Sequence, residues 1–210
     1  MLKKLGFAMC VLGITGCGGG DKLVEEILDI DTKNDYQFIN ASTHEYDFYL
    51  KNKSDSEIYE DKYKEASLTS LQAKKITFES NVLYTTYIAI EAPNVDGIKN
   101  MLDHHSENKK TYNVVAWDNS GLVFFKQKES NVDNEFRVRF FKTHDNLKIK
   151  VDGTPINLDY KDVSDFYTIK NCETSITAAD HNYSICNQDL GNSYLMVLNN
   201  DGTQIVVHEK

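Results

Sequence analysis

The sequence predicts an all-β protein with two tandem antiparallel β-sandwiches. Three observations carry that prediction. The 210 residues include 12 Tyr and 10 Phe but only two Pro, an aromatic-rich composition that suits pleated, half-buried strands. Short apolar or alternating segments recur between turn signals, with no convincing long helix among them. The second half of the chain also repeats motifs of the first, the mark of a duplicated structural unit.

The first element is a leader. Met1-Leu2-Lys3-Lys4 supplies a positive start, and Leu5–Ile14 is a mostly apolar run too short to cross a bilayer as a helix. Ile14-Thr15-Gly16-Cys17 follows. This ending resembles the lipobox of bacterial lipoproteins. The resemblance implies a signal peptide over 1–16, cleavage before Cys17, acylation of Cys17, and a mature N-terminus held in a membrane by acyl chains. Each buried methylene of such chains contributes about 0.8 kcal/mol, so several together make a firm anchor. Gly18, where an Asp would direct retention at the inner membrane, implies the outer membrane. Residues 17–33 then read as a tether opening on Gly18-Gly19-Gly20-Asp21. Leu23–Leu28 fits either a short amphipathic helix or a peripheral strand.

The formal charge is −9, and 1–16 carries only Lys3 and Lys4, so the expected mature chain is at −9 − 2 = −11. A polyanion does not bind nucleic acid by neutralising phosphates. Nor does it lie flat on anionic lipid, so membrane contact is expected through the lipid anchor alone.

The repeat then unfolds in order. Phe38-Ile39-Asn40-Ala41-Ser42-Thr43-His44 precedes the alternating Tyr46-Asp47-Phe48-Tyr49-Leu50; Arg139-Phe140-Phe141-Lys142-Thr143-His144 precedes Leu147-Lys148-Ile149-Lys150-Val151. Tyr63–Ser67 pairs with Tyr160–Ser164, and Val82–Ile90 with His181–Cys186. Thr111–Phe124 parallels Ser193–Val207, each enclosing an Asn-Ser-Gly or Asn-Asp-Gly hairpin turn. The first copy is longer, and the excess is expected as a loop inserted at 95–110. The domains are expected at 34–130 and 134–210. Their joint, Lys128–Glu135, lacks Pro and Gly, which favours limited motion between them.

Of the four cysteines, Cys10 leaves with the leader and Cys17 is the lipidation site. Cys172 and Cys186 remain as an even pair in an oxidising compartment. A hairpin turning near Ala179–Asp180 places them opposite each other, and a disulfide there contributes about 3 kcal/mol in the chain-entropy model. The absence of C-x-x-C disfavours a metal or redox pair.

These strand, corner and turn motifs, with Val151-Asp152-Gly153-Thr154-Pro155-Ile156 in the second copy, resemble the Ig-like repeat known as domain of unknown function 4397. The likeness covers most of residues 36–210. It departs at Lys51-Asn52-Lys53-Ser54, where the family tends to have a glycine-containing turn. It implies two Ig-like sandwiches in an envelope lipoprotein and supplies no activity.

Among candidate sites, Asp103, His104, His105 and Glu107 form the densest His/carboxylate cluster and a candidate interaction loop, with a solvated loop as the competing reading and zinc or copper the remaining one. His44 and His144 are read as equivalent corners satisfying local backbone. Asp29–Asp35 has a hint of calcium-loop spacing but departs from the EF-hand at three positions. Trp117 is expected in the core of the first sandwich. No G-x-S-x-G, Walker loop, H-E-x-x-H or dinucleotide fingerprint is present. The sequence therefore predicts a non-catalytic interaction module without cofactor. Its expected partner is another envelope protein or a surface polymer, with calcium or glycan binding as the alternative.

Overall fold

The computed structural model describes residues 31–52 and 57–209; Cys17 and the leader lie outside the described residues. The first copy runs β1 (Asp31–Asn40), β2 (Tyr46–Asn52), β3 (Lys64–Leu68), β4 (Gln72–Asn81), β5 (Thr85–Glu91), β6 (Lys99–His105), β7 (Thr111–Trp117) and β8 (Gly121–Lys126). The second runs β9 (Phe136–Lys142), β10 (Ile149–Val151), β11 (Thr154–Pro155), β12 (Tyr167–Ile169), β13 (Ile176–Ala178), β14 (His181–Tyr183), β15 (Ser193–Leu198) and β16 (Gln204–Glu209). Residues 31–33, expected in the tether, belong to β1.

The two copies share one topology. In the first, sheet β4-β1-β7-β8 faces sheet β3-β2-β5-β6; in the second, β12-β9-β15-β16 accompanies β11-β10-β13-β14. Strand n of the first copy corresponds to strand n + 8 of the second. The fold is thus all-β, with two tandem Ig-like sandwiches. Each copy also holds one parallel pair, β1 with β7 and β9 with β15; the remaining pairs are antiparallel. Inward side chains build a core in each copy: Tyr36, Phe38, Phe48, Leu50, Ile88 and Val114 in the first, and Phe140, Ile149, Ile169, Ile176, Tyr194 and Met196 in the second.

The register corrects parts of the motif alignment. Ala41 N donates to Ala116 O at 2.8 Å, and the matching bond in the second copy runs from Thr143 N to Leu198 O at 3.3 Å. Ala41, not Thr43, therefore corresponds to Thr143, and the two Thr-His corners are out of step by two residues. Tyr63–Ser67 enters β3, which pairs with β2. Tyr160–Ser164 instead runs beside β9, where Val163 bridges Phe141. The counterpart of β5 is β13, not His181–Cys186. Thr111–Phe124 and Ser193–Val207 do correspond, as hairpins β7–β8 and β15–β16.

The extra length of the first copy also has a different form from the one expected. Its β4, β5 and β6 have 10, 7 and 7 residues; β12, β13 and β14 have three each. Much of 95–110 is the edge strand β6, paired with β5 along its whole length. The alternation of Lys99–His105 is what makes it a strand: every second side chain turns toward the core.

The sandwiches pack against each other. Ile39, Val115 and Trp117 on the outer face of the β1/β7 sheet meet Phe141, Leu195, Val197 and Ile205 on the outer face of the β9/β15 sheet. These strands are buried on both faces, so Val114-Val115-Ala116-Trp117 and Leu195-Met196-Val197-Leu198 read as unbroken apolar runs. Trp117 belongs to this seam rather than to the first sandwich's own core. Its ring lies over Gly121, where an added Cβ would overlap the indole, and edge-on to Phe141 at 5.4 Å between centroids.

Candidate functional site

The topology gives the molecule two ends. β1 enters at Asp31, and its parallel neighbour β7 ends, like β1, at the opposite end. Asn40 pairs with Ala116 there. Corner 41–45, turn 69–71, connection 92–98 and turn 118–120 collect at this far end. Parallel pairing of β9 with β15 sends corner 143–148 and turn 199–203 the same way. Loops 82–84 and 106–110 and the interdomain joint lie at the near end, beside Asp31.

The seam is pinned near each end. Toward the near end, Arg139 and Glu209 are 1% and 0% exposed and form an ion pair. Arg139 Nε donates to Glu209 Oε2 at 2.7 Å, and Asn113 Nδ2 of the first sandwich donates to Glu209 Oε1 at 2.7 Å. The Arg139 Nη2 group reaches Lys126 O at 3.3 Å, and the guanidinium lies over Phe125 and Phe166. A buried charge is tolerated only when its lone pairs and protons are used in this way. At the far end, Asn199 Nδ2 donates to Ala41 O across the seam at 2.8 Å, while Thr143 Oγ1 donates to Asn199 Oδ1 at 2.8 Å.

Directly above Asn199 the seam opens into a cleft of about 200 Å³. Ser42, Thr43 and Asp118 line it from the first sandwich, and His144, Asn200 and Asp201 from the second. The corner β1–β2 and the hairpin β7–β8 thus meet their counterparts from the other repeat. Thr43 N and Oγ1 donate to Asp118 Oδ1 at 2.9 and 3.2 Å. Thr203 N and Oγ1 donate to Asp201 Oδ1 at 2.9 and 2.6 Å. The bonds from Thr203 hold the Asp201 carboxyl below the usual carboxylate range. The Asn200 Oδ1 atom is buried with no hydrogen-bond partner among the described residues.

The cluster expected at 103–107 does not converge. Period-two alternation turns Asp103 and His105 outward and His104 inward. His104 Nε2 lies 3.1 Å from Tyr36 Oη. Its ring packs against Phe124 and Tyr112 at centroid distances of 4.6 and 5.1 Å. Burial pushes the His104 pKa below the ordinary histidine value, and burial pushes the Tyr36 hydroxyl up to about 12. Glu107 is ion-paired with Lys126, whose hydrogen bond holds its carboxyl below the usual range. His104 is thus a core side chain, and Glu107 a surface ion-pair partner.

Asp31–Asp35, the described part of the calcium-like segment, lies in β1, with Asp31, Lys33 and Asp35 on one face and Thr32 and Asn34 on the other. Among the described residues, no group of three His, Cys, Asp or Glu could hold a metal. His44 keeps a local backbone role, its carbonyl accepting from Asn40 Nδ2 at 2.8 Å. His144 lines the cleft, with Nδ1 2.8 Å from Thr143 Oγ1.

Cys172 and Cys186 form a disulfide with Cα atoms 5.3 Å apart. Hairpin β13–β14 turns at Ala179 and Asp180, both with positive φ, as a two-residue primed turn requires. The pairing of Ile176 with Tyr183 carries the flanking chains toward the cross-link.

The fold and seam together define a class: a two-repeat β-sandwich protein whose repeats are fused face to face around one shared polar cleft. No family model matches the chain, and no curated protein matches it.

Proposed function

We propose that this chain is a lipid-anchored outer-membrane lipoprotein acting as a non-catalytic interaction module, related to the Ig-like repeat of domain of unknown function 4397. Its partner is another envelope protein or surface polymer, engaged by the far-end loops. The observation that carries this reading is the polarity of the fold. The segment that follows Cys17 enters at one end, and loops from both repeats gather at the other. A ten-residue strand spans about 30 Å, so the loops stand well clear of the point where the tether joins. The buried Arg139–Glu209 pair and the apolar seam favour presentation of both repeats as one surface.

Two exposed leucines supply the test. Leu71 sits at the far-end turn in a left-handed conformation, φ 57°, and Leu83 sits at a near-end turn. The unacylated mature chain, Cys17→Ser, is used as bait on detergent-solubilised envelopes, alongside Leu71→Asp and Leu83→Asp variants. A partner lost with Leu71→Asp and kept with Leu83→Asp is the expected result. A partner indifferent to Leu71, or lost only with Leu83→Asp, overturns the far-end reading. Incorporation of a palmitate analogue into the wild type but not into Cys17→Ser tests the anchor.

A further inference from the structure

We infer that the outer face of sheet β11-β10-β13-β14 is a docking site for an extended acidic segment of the partner protein. This rests on the interaction-module reading and gives its contact a chemistry.

The two repeats treat the same face differently. In the first, the described part of the β2–β3 connection, residues 57–63, lies over the outward side chains of β2 and β5. Ile58 is buried there against Tyr49 and Ala89, which pair across the two strands. The Tyr59 ring stands edge-on to Tyr49 at 5.6 Å, and its hydroxyl donates to Asn100 O of β6 at 3.2 Å. Lys51 and Lys99 lie over the rings of Tyr63 and Tyr59, each 4.7 Å from the centroid. The covering segment reads Glu57-Ile58-Tyr59-Glu60-Asp61-Lys62-Tyr63, an acidic and aromatic stretch. In the second repeat the equivalent connection, between β10 and β11, is only Asp152-Gly153. Two residues close a hairpin and cannot reach over the sheet. Lys148 and Lys150 are left exposed and Thr177, which pairs with Lys150, half-buried. With Asn146 and the turn Ala179–Asp180 they line a concavity of about 410 Å³.

Charge says what fits this open face. Neither Lys148 nor Lys150 is ion-paired among the described residues. Asp180 is the one carboxylate that lines the concavity among them, which leaves it net positive on a chain of formal charge −9. The next outward position, Asp152, lies at the near end of the face, where its Oδ1 accepts from Ser175 N at 2.8 Å. A lysine ammonium carries three donors and no acceptor, so carboxylates complement it. Lys148 and Lys150 are two residues apart on one face, a spacing of roughly 7 Å. An extended peptide with acidic residues at alternate positions presents carboxylates at the same interval. A peptide is favoured over a polymer because a peptide, residues 57–63, already occupies the equivalent face of the first repeat.

The face also adjoins the far-end loops. Ile149 pairs with Ala178, so corner 143–148 and turn 179–180 lie side by side at that end. A partner engaged by the loops can continue onto β10 and β13 without leaving the surface.

The test is a titration of the mature Cys17→Ser chain with the peptide acetyl-Glu-Tyr-Glu-Tyr-Glu amide, followed by amide chemical shifts. Parallel titrations use the same peptide with Gln for Glu, polygalacturonate as an anionic polymer, and a Lys148→Gln, Lys150→Gln variant. Both lysines are exposed, so the variant should keep the fold; far-UV circular dichroism and the thermal midpoint check this. Saturable shifts centred on residues 146–150 and 177–180 are expected. Affinity should be at least about fivefold weaker in the double variant and for the Gln peptide, because two charge contacts are lost. Absent shifts at this face, an equal response to the Gln peptide, or shifts unchanged in the double variant would each overturn the proposal. Tighter binding of polygalacturonate at the same residues would overturn the peptide occupant in favour of a polymer. Any of these results, beside intact Leu71-dependent partner capture, removes the acidic-segment contact and leaves the interaction-module reading standing.

Discussion

Glu209→Ala removes one half of an ion pair that is closed off from water. Arg139 then keeps its charge in the seam with its carboxylate gone, and Asn113 Nδ2 loses its 2.7 Å acceptor. Removing one partner of a buried pair costs about 3–5 kcal/mol, because the remaining charge is uncompensated. For a folded region of this size a kcal/mol moves the thermal midpoint by roughly 2–4 °C, so the variant should melt roughly 6–20 °C below wild type. The paired replacement Arg139→Met, Glu209→Leu removes both charges. It leaves chiefly Asn113 Nδ2 unsatisfied, which costs about 1–3 kcal/mol, so it should be the more stable of the two variants. Trp117, the only tryptophan in the chain, reports on the seam directly because it is 2% exposed there. Its emission should move to longer wavelength in Glu209→Ala under mild urea, before global unfolding. A loss below about 1 kcal/mol with unchanged emission would refute the reasoning that this desolvated pair of the second repeat locks the first through Asn113 and Lys126 O.

Three further outcomes follow from the same geometry. Burial lowers the His104 pKa in the folded protein, so the unfolded chain takes up this proton first as pH falls. The stability contributed by neutral His104 is present above the unfolded histidine pKa of about 6.5 and declines below it. Thermal midpoints between pH 7.5 and 5 should fall more steeply for wild type than for His104→Phe; parallel curves would contradict the assignment. Replacing Cys172 and Cys186 together by Ser should cost about 3 kcal/mol in urea unfolding, and hydrogen exchange should locate the loss in β13–β14; an unchanged midpoint would show that the cross-link constrains little. Gly121→Ala should displace the Trp117 indole, costing about 1–3 kcal/mol as an overpacked seam, with altered fluorescence; an unaltered spectrum and midpoint would contradict the packing.

Much of the fold was legible from local pattern. Alternation marked β2 and β10, the Asn-Ser-Gly and Asn-Asp-Gly turns marked the two final hairpins, and Ala179–Asp180 marked the turn between β13 and β14. The register was less legible. A strand's side-chain period is two, so a two-residue offset preserves every inward and outward position; that is how the Thr-His corners were aligned with the wrong neighbours. The apparent insertion at 95–110 hid a strand because Asp, Asn and His dominate its composition, while the deciding evidence was the weaker alternation of Asn100, Leu102 and His104. Adjacent His104 and His105 suggested one site, but in a strand neighbours face opposite ways.

The seam cleft was the least visible feature. Its residues lie in five separate corners and turns, and they meet only because two outer faces pack together. The available signal was the pair of apolar runs in β7 and β15, too continuous for strands with one wet face. Arg139 and Glu209 are separated by 70 residues, and neither is marked by a motif. Their meeting follows from the parallel β9–β15 pairing and the β15–β16 hairpin, which set Arg139 opposite Leu195 and Leu195 opposite Val207.

The most direct test of the far-end interaction surface is photo-crosslinking in living cells. A photoreactive residue is placed in turn at Ser70 and Asn119, at the far end, and at Leu83 and Leu190, at near-end positions, in the otherwise unaltered chain. A single crosslinked partner from Ser70 and Asn119, absent from Leu83 and Leu190, is the predicted result. Crosslinks confined to the near-end positions, or no crosslink from Ser70 and Asn119 while near-end positions react, would contradict a far-end interaction surface.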